Sequence, residues 1–214
     1  MKKYHILNKI RKNYLIAVVR GNEFDDTVKM IESILAGGIK NIEITYTTPK
    51  AGELIEHFSN NNDYCIGAGT IMSSASADEA IRRGALYIVS PHFDADIATT
   101  CNLNHIPYLP GCASATEIIM AMKAGVDVIK VFPGGILGAS FIKDIKGPIP
   151  HVNLMPSGGV NTDNMVDWID NGSFSVGIGS ALIKGYDGTN AEVITKNTES
   201  FVAAYEKAIK GNKE

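Results

Sequence analysis

A closed barrel of eight parallel strands, each followed by a helix, is the fold that this sequence predicts. Two observations carry the prediction: short apolar runs alternate with amphipathic segments, and the alternation repeats eight times. Alternating strands and helices predict a parallel sheet, and eight repeats favour a (β/α)8 TIM barrel over an open doubly wound sheet. The chain of 214 residues is compact for this fold, and we expect a single barrel domain over residues 1–214.

The eight strands are predicted from short, mostly apolar runs. Leu15–Arg20 is the first, and Asn41–Tyr46, in which polar and apolar side chains alternate, is the second. The other strands are predicted at residues 64–70, 87–90, 107–111, 128–132, 153–158 and 175–180.

The helices are predicted from apolar side chains at helical spacing and from the residues that begin or end a helix. A short N-terminal helix covers the first dozen residues, with Ile6 and Ile10 on one face. Residues 25–36 form the next helix, which ends at Gly37, and Pro49 is expected to open the one after it. The remaining helices are predicted at residues 74–83, 95–102, 115–123, 139–146, 162–170 and 192–209.

Composition and charge exclude several classes of function. The formal net charge of −3 argues against a nucleic-acid-binding surface, and the basic residues between Lys2 and Lys12 are spaced as a solvated helix face. The cysteines, Cys65, Cys101 and Cys112, are odd in number and lack metal-ligand spacing, which is typical of reduced core thiols. No run resembles a signal peptide or a membrane span. We therefore expect a cytoplasmic protein with no metal, no nucleic-acid partner and no membrane partner.

One lysine is predicted to lie inside the sixth strand. Val128–Phe132 is apolar enough to be covered on both faces, and strand alternation places Lys130 and Phe132 on the same pocket wall. Lysine is rarely buried unless it is paired or functional. Desolvation by apolar neighbours favours the neutral, nucleophilic form of an amine. The alternative is a lysine that pairs with a carboxylate or extends to solvent from the strand end.

A carboxylate is predicted at the same end of the barrel. Alternation in the second strand turns Glu43 inward together with Asn41 and Thr45. Active sites of such barrels lie at the C-terminal ends of the strands. A buried Glu43–Lys130 ion pair that ties the barrel together is one interpretation, although such pairs add little stability. Acid–base and Schiff-base chemistry is the other.

Glycine turns follow the last two strands, where barrels commonly bind phosphate through backbone N–H groups at a helix N-terminus. Gly158 and Gly159 come from the seventh strand end, and Gly179 and Ser180 from the eighth. Each fragment alone is typical of an ordinary turn, but on adjacent strands they predict a phosphorylated ligand. Arg20, at the end of the first strand, either binds a carboxylate or phosphate or caps the barrel.

Seven motifs, in order, resemble those of the family of 2-keto-3-deoxy-6-phosphogluconate (KDPG) and 2-keto-4-hydroxyglutarate (KHG) aldolases. Between Ala17 and Lys184 the chain carries Gly37-Gly-Ile-Lys-Asn-Ile-Glu-Ile-Thr45, Gly67-Ala-Gly-Thr70, Ile88-Val-Ser-Pro91, Pro110-Gly-Cys112, Lys130-Val-Phe-Pro133, Pro156-Ser-Gly-Gly159 and Gly177-Ile-Gly-Ser180. The resemblance implies a (β/α)8 fold, a homotrimer and catalysis without a metal or cofactor.

The resemblance also implies roles for individual residues. Lys130 is similar to the family's Schiff-base lysine, and Glu43 to its general acid–base. Thr70 resembles the hydroxyl that helps to hold the pyruvoyl carboxylate. The other substrate-binding residues are expected to be Arg20, Pro91, Phe132, Gly158, Gly159, Gly179 and Ser180, of which the glycines and the serine resemble the phosphate-binding set.

One position departs from the family pattern. Many members carry an arginine four residues after the glutamate, in a Glu-x-Thr-x-Arg pattern, as a partner for the carboxylate. Here that position is Thr47. Arg20 is our candidate for the missing cation.

The resemblance predicts a lyase: a class I aldolase that cleaves a 2-keto-4-hydroxy acid to pyruvate and an aldehyde. The expected substrates are KDPG, which yields glyceraldehyde 3-phosphate, and 4-hydroxy-2-oxoglutarate, which yields glyoxylate. One alternative is a sugar-phosphate isomerase or epimerase in which Glu43 is the base and Lys130 acts electrostatically. Another is a non-catalytic keto-acid-binding protein. Activity that survives Lys130→Ala favours the first alternative, and tight binding without turnover favours the second.

Overall fold

The computed structural model describes residues 1–211, and within them it contains eight parallel strands that form a barrel. The strands are β1 (Leu15–Val19), β2 (Asn41–Thr45), β3 (Cys65–Gly69), β4 (Ile88–Ser90), β5 (Tyr108–Cys112), β6 (Ile129–Val131), β7 (Leu154–Pro156) and β8 (Val176–Ile178). The helices are α1 (Lys2–Asn13), α2 (Phe24–Ala36), α3 (Ala51–Ser59), α4 (Ser74–Arg82), α5 (Ala95–Leu103), α6 (Ala115–Lys123), α7 (Gly134–Leu137), α8 (Ser140–Lys146), α9 (Met165–Asp170) and α10 (Glu192–Gly211). The predicted (β/α)8 fold with an N-terminal helix is confirmed.

The barrel closes between its seventh and eighth strands. Sequential strands pair from β1 to β7, and β8 pairs with β1. Ser157 and Gly177 form a parallel bridge between the ends of β7 and β8, and Phe174 N donates to Leu154 O at 2.8 Å. The glycine turns after β7 and β8 are therefore neighbours, as the predicted phosphate site requires.

Strand β3 leaves room inside the barrel because its inward positions are glycines. A Cβ atom at Gly67 would lie 2.4 Å from the Tyr87 ring, and a Cβ atom at Gly69 would lie 2.2 Å from Glu43 Oε1. The side chains of Tyr87 and Glu43 thus occupy the space that β3 does not fill. Both residues are fully buried.

Helix α1 crosses the N-terminal end of the barrel. Lys9 Nζ donates to Tyr64 O at 2.8 Å, just before β3, and Lys3 Nζ lies 2.6 Å from Asp127 Oδ2, just before β6. Ile10 is completely buried beneath the strands. The expectation of a wholly solvated basic face is therefore wrong for Lys3 and Lys9, because both extend to groups at the strand starts.

Several predicted boundaries are wrong by one to three residues, with identifiable causes. Strand β6 stops at Val131 rather than Phe132, because Pro133 has no N–H with which to continue the ladder. Phe132 is consequently 38% exposed instead of buried. Pro49 does not open α3, since Lys50 adopts a left-handed conformation (φ 57°) and the helix starts after it. The first turn of α9 was predicted from Thr162, but residues 162–164 form a non-helical turn.

A short helix was also missed. Residues 134–137 form the single turn α7, where the sequence predicted only a Pro-Gly-Gly turn. Two adjacent glycines are poor helix formers, so local propensity gives no signal for this turn. None of the helices within residues 1–211 has the combined length and apolarity that a membrane crossing requires.

Replacing Gly67 by alanine tests whether β3 must remain free of side chains. The added methyl group would overlap the buried Tyr87 ring, so we expect a loss of about 1–3 kcal/mol in the free energy of unfolding, measured by urea denaturation. Gly211→Ala is the matched control, because nothing lies within 4 Å of a Cβ atom there. Equal unfolding free energies for the two variants would contradict this account of the interior.

Candidate active site

The C-terminal ends of the strands surround a pocket of about 540 Å³. Every residue that the sequence predicted for the site lines this pocket. These residues are Arg20, Glu43, Thr70, Pro91, Lys130, Phe132, Gly158, Gly159, Gly179 and Ser180. They come from all strands except β5, so only the closed barrel brings them together; their roles remain predictions.

Lys130 and Glu43 meet at the floor of the pocket. Lys130 Nζ lies 3.5 Å from Glu43 Oε1, and the two side chains are only 8% and 1% exposed. The separation indicates an ion-pair contact longer than a good hydrogen bond. Lys130 Nζ also lies 5.3 Å from the centre of the Phe132 ring, and both residues line the pocket. The predicted shared wall of Lys130 and Phe132 is present.

The Glu43 carboxylate has unused hydrogen-bonding capacity. Among the described residues, neither of its oxygens has a hydrogen-bond partner, although both are buried. Buried carboxylate oxygens without partners are unusual and call for an explanation. A carboxylate in this state, beside an amine in an open pocket, can exchange protons with a bound molecule or with water.

Arg20 is held by the residue that stands in place of the family arginine. Arg20 Nε donates to Thr47 Oγ1 at 2.8 Å, and Thr47 Oγ1 lies 3.0 Å from Thr45 Oγ1. Thr48 Oγ1 accepts from Gly21 N at 3.2 Å, which fixes the backbone next to Arg20. These threonines orient the guanidinium at the β1–β2 side of the pocket. Within residues 1–211 its terminal N–H groups have no hydrogen-bond partner and can bind an anion. The sequence left two roles open for Arg20, binding a carboxylate or phosphate and capping the barrel. Its position in the pocket lining favours anion binding.

The glycine turn after β7 presents donors to the pocket. Gly158 and Gly159 have φ angles of 89° and 76°, a region that favours glycine. Both residues are exposed, and within residues 1–211 their N–H groups donate to no other residue. Consecutive free N–H groups in such a conformation form an anion-binding concavity.

The expectation that these donors belong to helix N-termini is wrong. Helix α9 begins at Met165 and α10 at Glu192, each several residues beyond its glycine turn. After β8 the chain turns instead, with Leu182 N donating to Gly179 O at 3.0 Å. The donors are therefore backbone groups of turns, together with the Ser180 hydroxyl.

Thr70 and Pro91 complete the rim between β3 and β5. Thr70 has φ 56°, a conformation that a β-branched residue adopts only at a cost of roughly 1–3 kcal/mol. Such strain is concentrated at functional sites, where the surroundings hold the residue in place. Pro91 approaches β5 closely, because a Cβ atom at Gly111 would lie 2.3 Å from the Pro91 carbonyl oxygen.

Sequence reasoning missed five pocket-lining residues. They are Val18, Ser157, Val160, Asn161 and Ala181. Alternation along β1 could have identified Val18, which pairs in register with Glu43. The others adjoin the glycine turns, so their position depends on turn geometry that no periodicity encodes.

The cysteines take no part in the pocket. Burial raises the pKa of Cys65, Cys101 and Cys112 to about 12 each, so the thiols stay protonated. This agrees with the prediction of core thiols. Among the described residues, no group of three or more His, Cys, Asp or Glu side chains is arranged to hold a metal ion.

A family model and curated relatives match nearly the whole chain. The model for KDPG and KHG aldolases matches residues 6–197. The 2-dehydro-3-deoxy-6-phosphogalactonate aldolase of Escherichia coli is 30% identical over 91% of this chain and 96% of its own length. The 2-dehydro-3-deoxy-phosphogluconate aldolase of Treponema pallidum is 32% identical over 78% of this chain and 79% of its own.

A solved structure with a reaction intermediate is also similar. The KDPG aldolase of Legionella pneumophila, with pyruvate captured at low pH as a covalent carbinolamine, superposes with a TM-score of 0.83. It is 27% identical, and the match covers 92% of this chain and 97% of that one.

The buried pair predicts non-additive effects on stability. Lys130→Met leaves the Glu43 carboxylate buried beside an apolar side chain, so we expect a loss of about 3–5 kcal/mol in the free energy of unfolding. Adding Glu43→Leu should restore much of that loss, because no charge is then left unpaired. Urea denaturation of the two single variants and the double variant measures the coupling.

The exposed pair of Lys196 and Glu192 is the matched control. Their charged atoms lie 2.8 Å apart on α10, where both side chains are mostly solvated. Lys196→Met should leave stability nearly unchanged. Strictly additive losses for Lys130 and Glu43 would show that the two charges are not coupled.

Proposed function

The chain belongs to the KDPG and KHG aldolase family, and on this premise we propose that it is a class I aldolase with Lys130 as the Schiff-base residue. The observation that carries the proposal is the buried contact of 3.5 Å between Lys130 Nζ and Glu43 Oε1 at the pocket floor. One group is a nucleophile when neutral, and the other can move protons beside it.

The first half of the reaction forms the imine. Lys130 Nζ, after giving up a proton, attacks the C2 carbonyl carbon of a 2-keto-4-hydroxy acid to form a carbinolamine. Loss of the C2 oxygen as water, with a proton supplied through Glu43, leaves a protonated imine. The carbinolamine captured in the Legionella enzyme supports this intermediate.

The second half breaks the carbon–carbon bond. Glu43, directly or through water, removes the proton of the C4 hydroxyl, and the C3–C4 bonding electrons pass to the imine to give an enamine. The aldehyde leaves. Protonation of C3 and hydrolysis of the imine then release pyruvate and the free amine of Lys130.

Arg20 is proposed to bind the carboxylate that adjoins the reacting ketone. Thr47 accepts a hydrogen bond from its Nε, and Arg20 and Thr70 line the same pocket. Arginine presents a planar fork that matches a carboxylate with two parallel hydrogen bonds. Thr47 thus supplies, through Arg20, the function that the family arginine has in many members.

The turns after β7 and β8, which adjoin the end of β1, support a phosphorylated substrate. Gly158, Gly159, Gly179 and Ser180 are proposed to bind the phosphoryl group with backbone N–H groups and one hydroxyl. The substrates are then 2-keto-3-deoxy-6-phosphosugar acids such as KDPG, cleaved to pyruvate and glyceraldehyde 3-phosphate. 4-Hydroxy-2-oxoglutarate, cleaved to pyruvate and glyoxylate, is the unphosphorylated candidate, and assays of both rank them.

Three further proposals concern the whole protein; the family resemblance supports the trimer, and the sequence pattern supports the other two. We propose that the chain folds as one domain, assembles as a homotrimer and acts in the cytoplasm. Sedimentation equilibrium should give three times the monomer mass of 23.0 kDa. A monomer at micromolar concentration would contradict the trimer.

Borohydride reduction in the presence of pyruvate tests the Schiff base. We expect one reduced pyruvyl adduct, and peptide mass spectrometry should locate it on Lys130. Glu43→Gln should still be trapped but turn over about 10²–10⁴-fold more slowly, because only proton transfer is impaired. An adduct on another lysine, or full activity of Lys130→Met, would rule out this mechanism.

Substitutions at Arg20 and Thr47 test the carboxylate contact. Arg20→Gln removes a charge-assisted hydrogen bond, so the pyruvate concentration for half-maximal trapping should rise about 10–100-fold. Thr47→Val keeps the side-chain shape but loses the acceptor of Arg20 Nε, and a smaller rise is expected. Arg82→Gln on α4 is the control, because among the described residues Arg82 forms an ion pair only with the exposed side chain of Asp78. Unchanged trapping in Arg20→Gln would exclude Arg20 as the carboxylate partner.

A further inference from the structure

The glycine turn after β7 is tied to the start of α9 by the side chain of Asn164. Asn164 Nδ2 donates to Gly159 O at 2.8 Å. Its Oδ1 accepts from Asn161 N at 2.8 Å and from Trp168 Nε1 at 3.2 Å. Asn161 completes a reciprocal pair, since its own Oδ1 accepts from Asn164 N at 2.9 Å.

The partners of Asn164 fix the orientation of its amide. Asn161 N–H and Trp168 Nε1–H can only donate, and Gly159 O can only accept. The oxygen must therefore face the first two and the nitrogen must face Gly159. Trp168 anchors the arrangement, because its ring is 2% exposed and cannot move without disturbing the core.

Asn164 occupies a helix-cap position without serving as a cap. It precedes α9 as the N-cap residue, and the side chain of asparagine there ordinarily accepts a hydrogen bond from a backbone N–H in the first turn of its own helix. Within the described chain, its side chain makes no such bond. The amide is directed backwards, to the turn that lines the pocket.

The other face of the turn is packed against backbone. A Cβ atom at Gly159 would lie 2.6 Å from Gly135 Cα, and Gly134 N donates to Ser157 O at 2.9 Å. Gly159 is thus held between the turn after β6 and the amide of Asn164. The free N–H groups of Gly158 and Gly159 keep one direction because both sides of the turn are fixed.

We propose that Asn164 is a positioning residue for the phosphoryl group, acting through the backbone of Gly158 and Gly159. The inference rests on the proposed function, since it assigns this turn to the phosphorylated end of the substrate. Its effect is confined to that end: Lys130 and Glu43 lie on β6 and β2, whereas the Asn164 side chain is hydrogen-bonded to Gly159, Asn161 and Trp168. Loss of the amide should therefore weaken phosphate binding and leave imine formation intact.

Asn164→Ala tests the proposal with paired substrates. We expect KM for KDPG to rise about tenfold with kcat nearly unchanged, because the turn loses the hydrogen bond that orients it. The kcat/KM for the same sugar acid without its phosphate, and trapping by pyruvate, should stay within twofold of wild type. The inhibition constant for inorganic phosphate should rise by the same factor as the KM for KDPG.

Two further variants separate positioning from folding. Trp168→Phe keeps the buried ring but removes the donor to Asn164 Oδ1, so it should give a smaller shift in the same direction even if Asn164→Ala does not fold. Asn171→Ala is the matched control, because Asn171 directly follows α9 and, among the described residues, its side-chain amide donates only to Asp167 O of that helix. It should leave kcat and KM unchanged for both the phosphorylated and the unphosphorylated substrate.

Equal losses with the phosphorylated and unphosphorylated substrates, or an unchanged inhibition constant for phosphate, would overturn the proposal. Failure of the proposed function can be distinguished from failure of this proposal, because in that case borohydride and pyruvate would trap no adduct on the wild-type protein. Titration with inorganic phosphate then still decides the inference: binding that weakens in Asn164→Ala supports it, and binding that is absent in wild type or unaltered in the variant overturns it.

Discussion

The pocket depends on the burial of a lysine and a glutamate side by side within a barrel that must have room for both. Strand β3 provides the room, because its inward residues Gly67 and Gly69 contribute no side chains. Glu43 extends across Gly69, and Lys130 reaches it from the far side of the barrel. A side chain at position 69 would displace the carboxylate, and Lys130 would then be buried without a partner at high cost.

The proposed function gives the pocket two kinds of anion-binding group. Arg20 carries a full positive charge, and its Nε donates a hydrogen bond to Thr47. Such a guanidinium suits a carboxylate that must be aligned with the reacting ketone. The turns after β7 and β8 offer neutral donors on a glycine backbone, which suits the larger phosphoryl group. On that proposal, a keto acid with a phosphate at its distal end engages both Arg20 and the glycine turns while its C2 lies over Lys130.

The sequence predicts those parts of the protein that follow from periodicity and burial. Strand alternation was sufficient to turn Glu43 and Lys130 inward, and the eightfold repeat was sufficient to bring their strands to one barrel mouth. Turn geometry was not predictable in the same way. Three features depend on contacts between segments distant in sequence or on the exact path of a loop. They are the left-handed conformation of Lys50, the single helical turn at residues 134–137 and the orientation of the Asn164 amide towards Gly159. The ion pair of Lys3 and the hydrogen bond from Lys9 to a backbone carbonyl were missed for a similar reason, since their partners lie at strand starts more than 50 residues away.

Deuterium exchange at the methyl group of pyruvate tests the central claim most directly, because it needs the imine and a proton acceptor but no aldehyde. The proton NMR signal of pyruvate in D2O should disappear with wild-type protein and persist with Lys130→Met. With Glu43→Gln, exchange should be at least about a hundredfold slower although borohydride still traps the adduct. Exchange at the wild-type rate in Lys130→Met would contradict the assignment of Lys130 as the nucleophile.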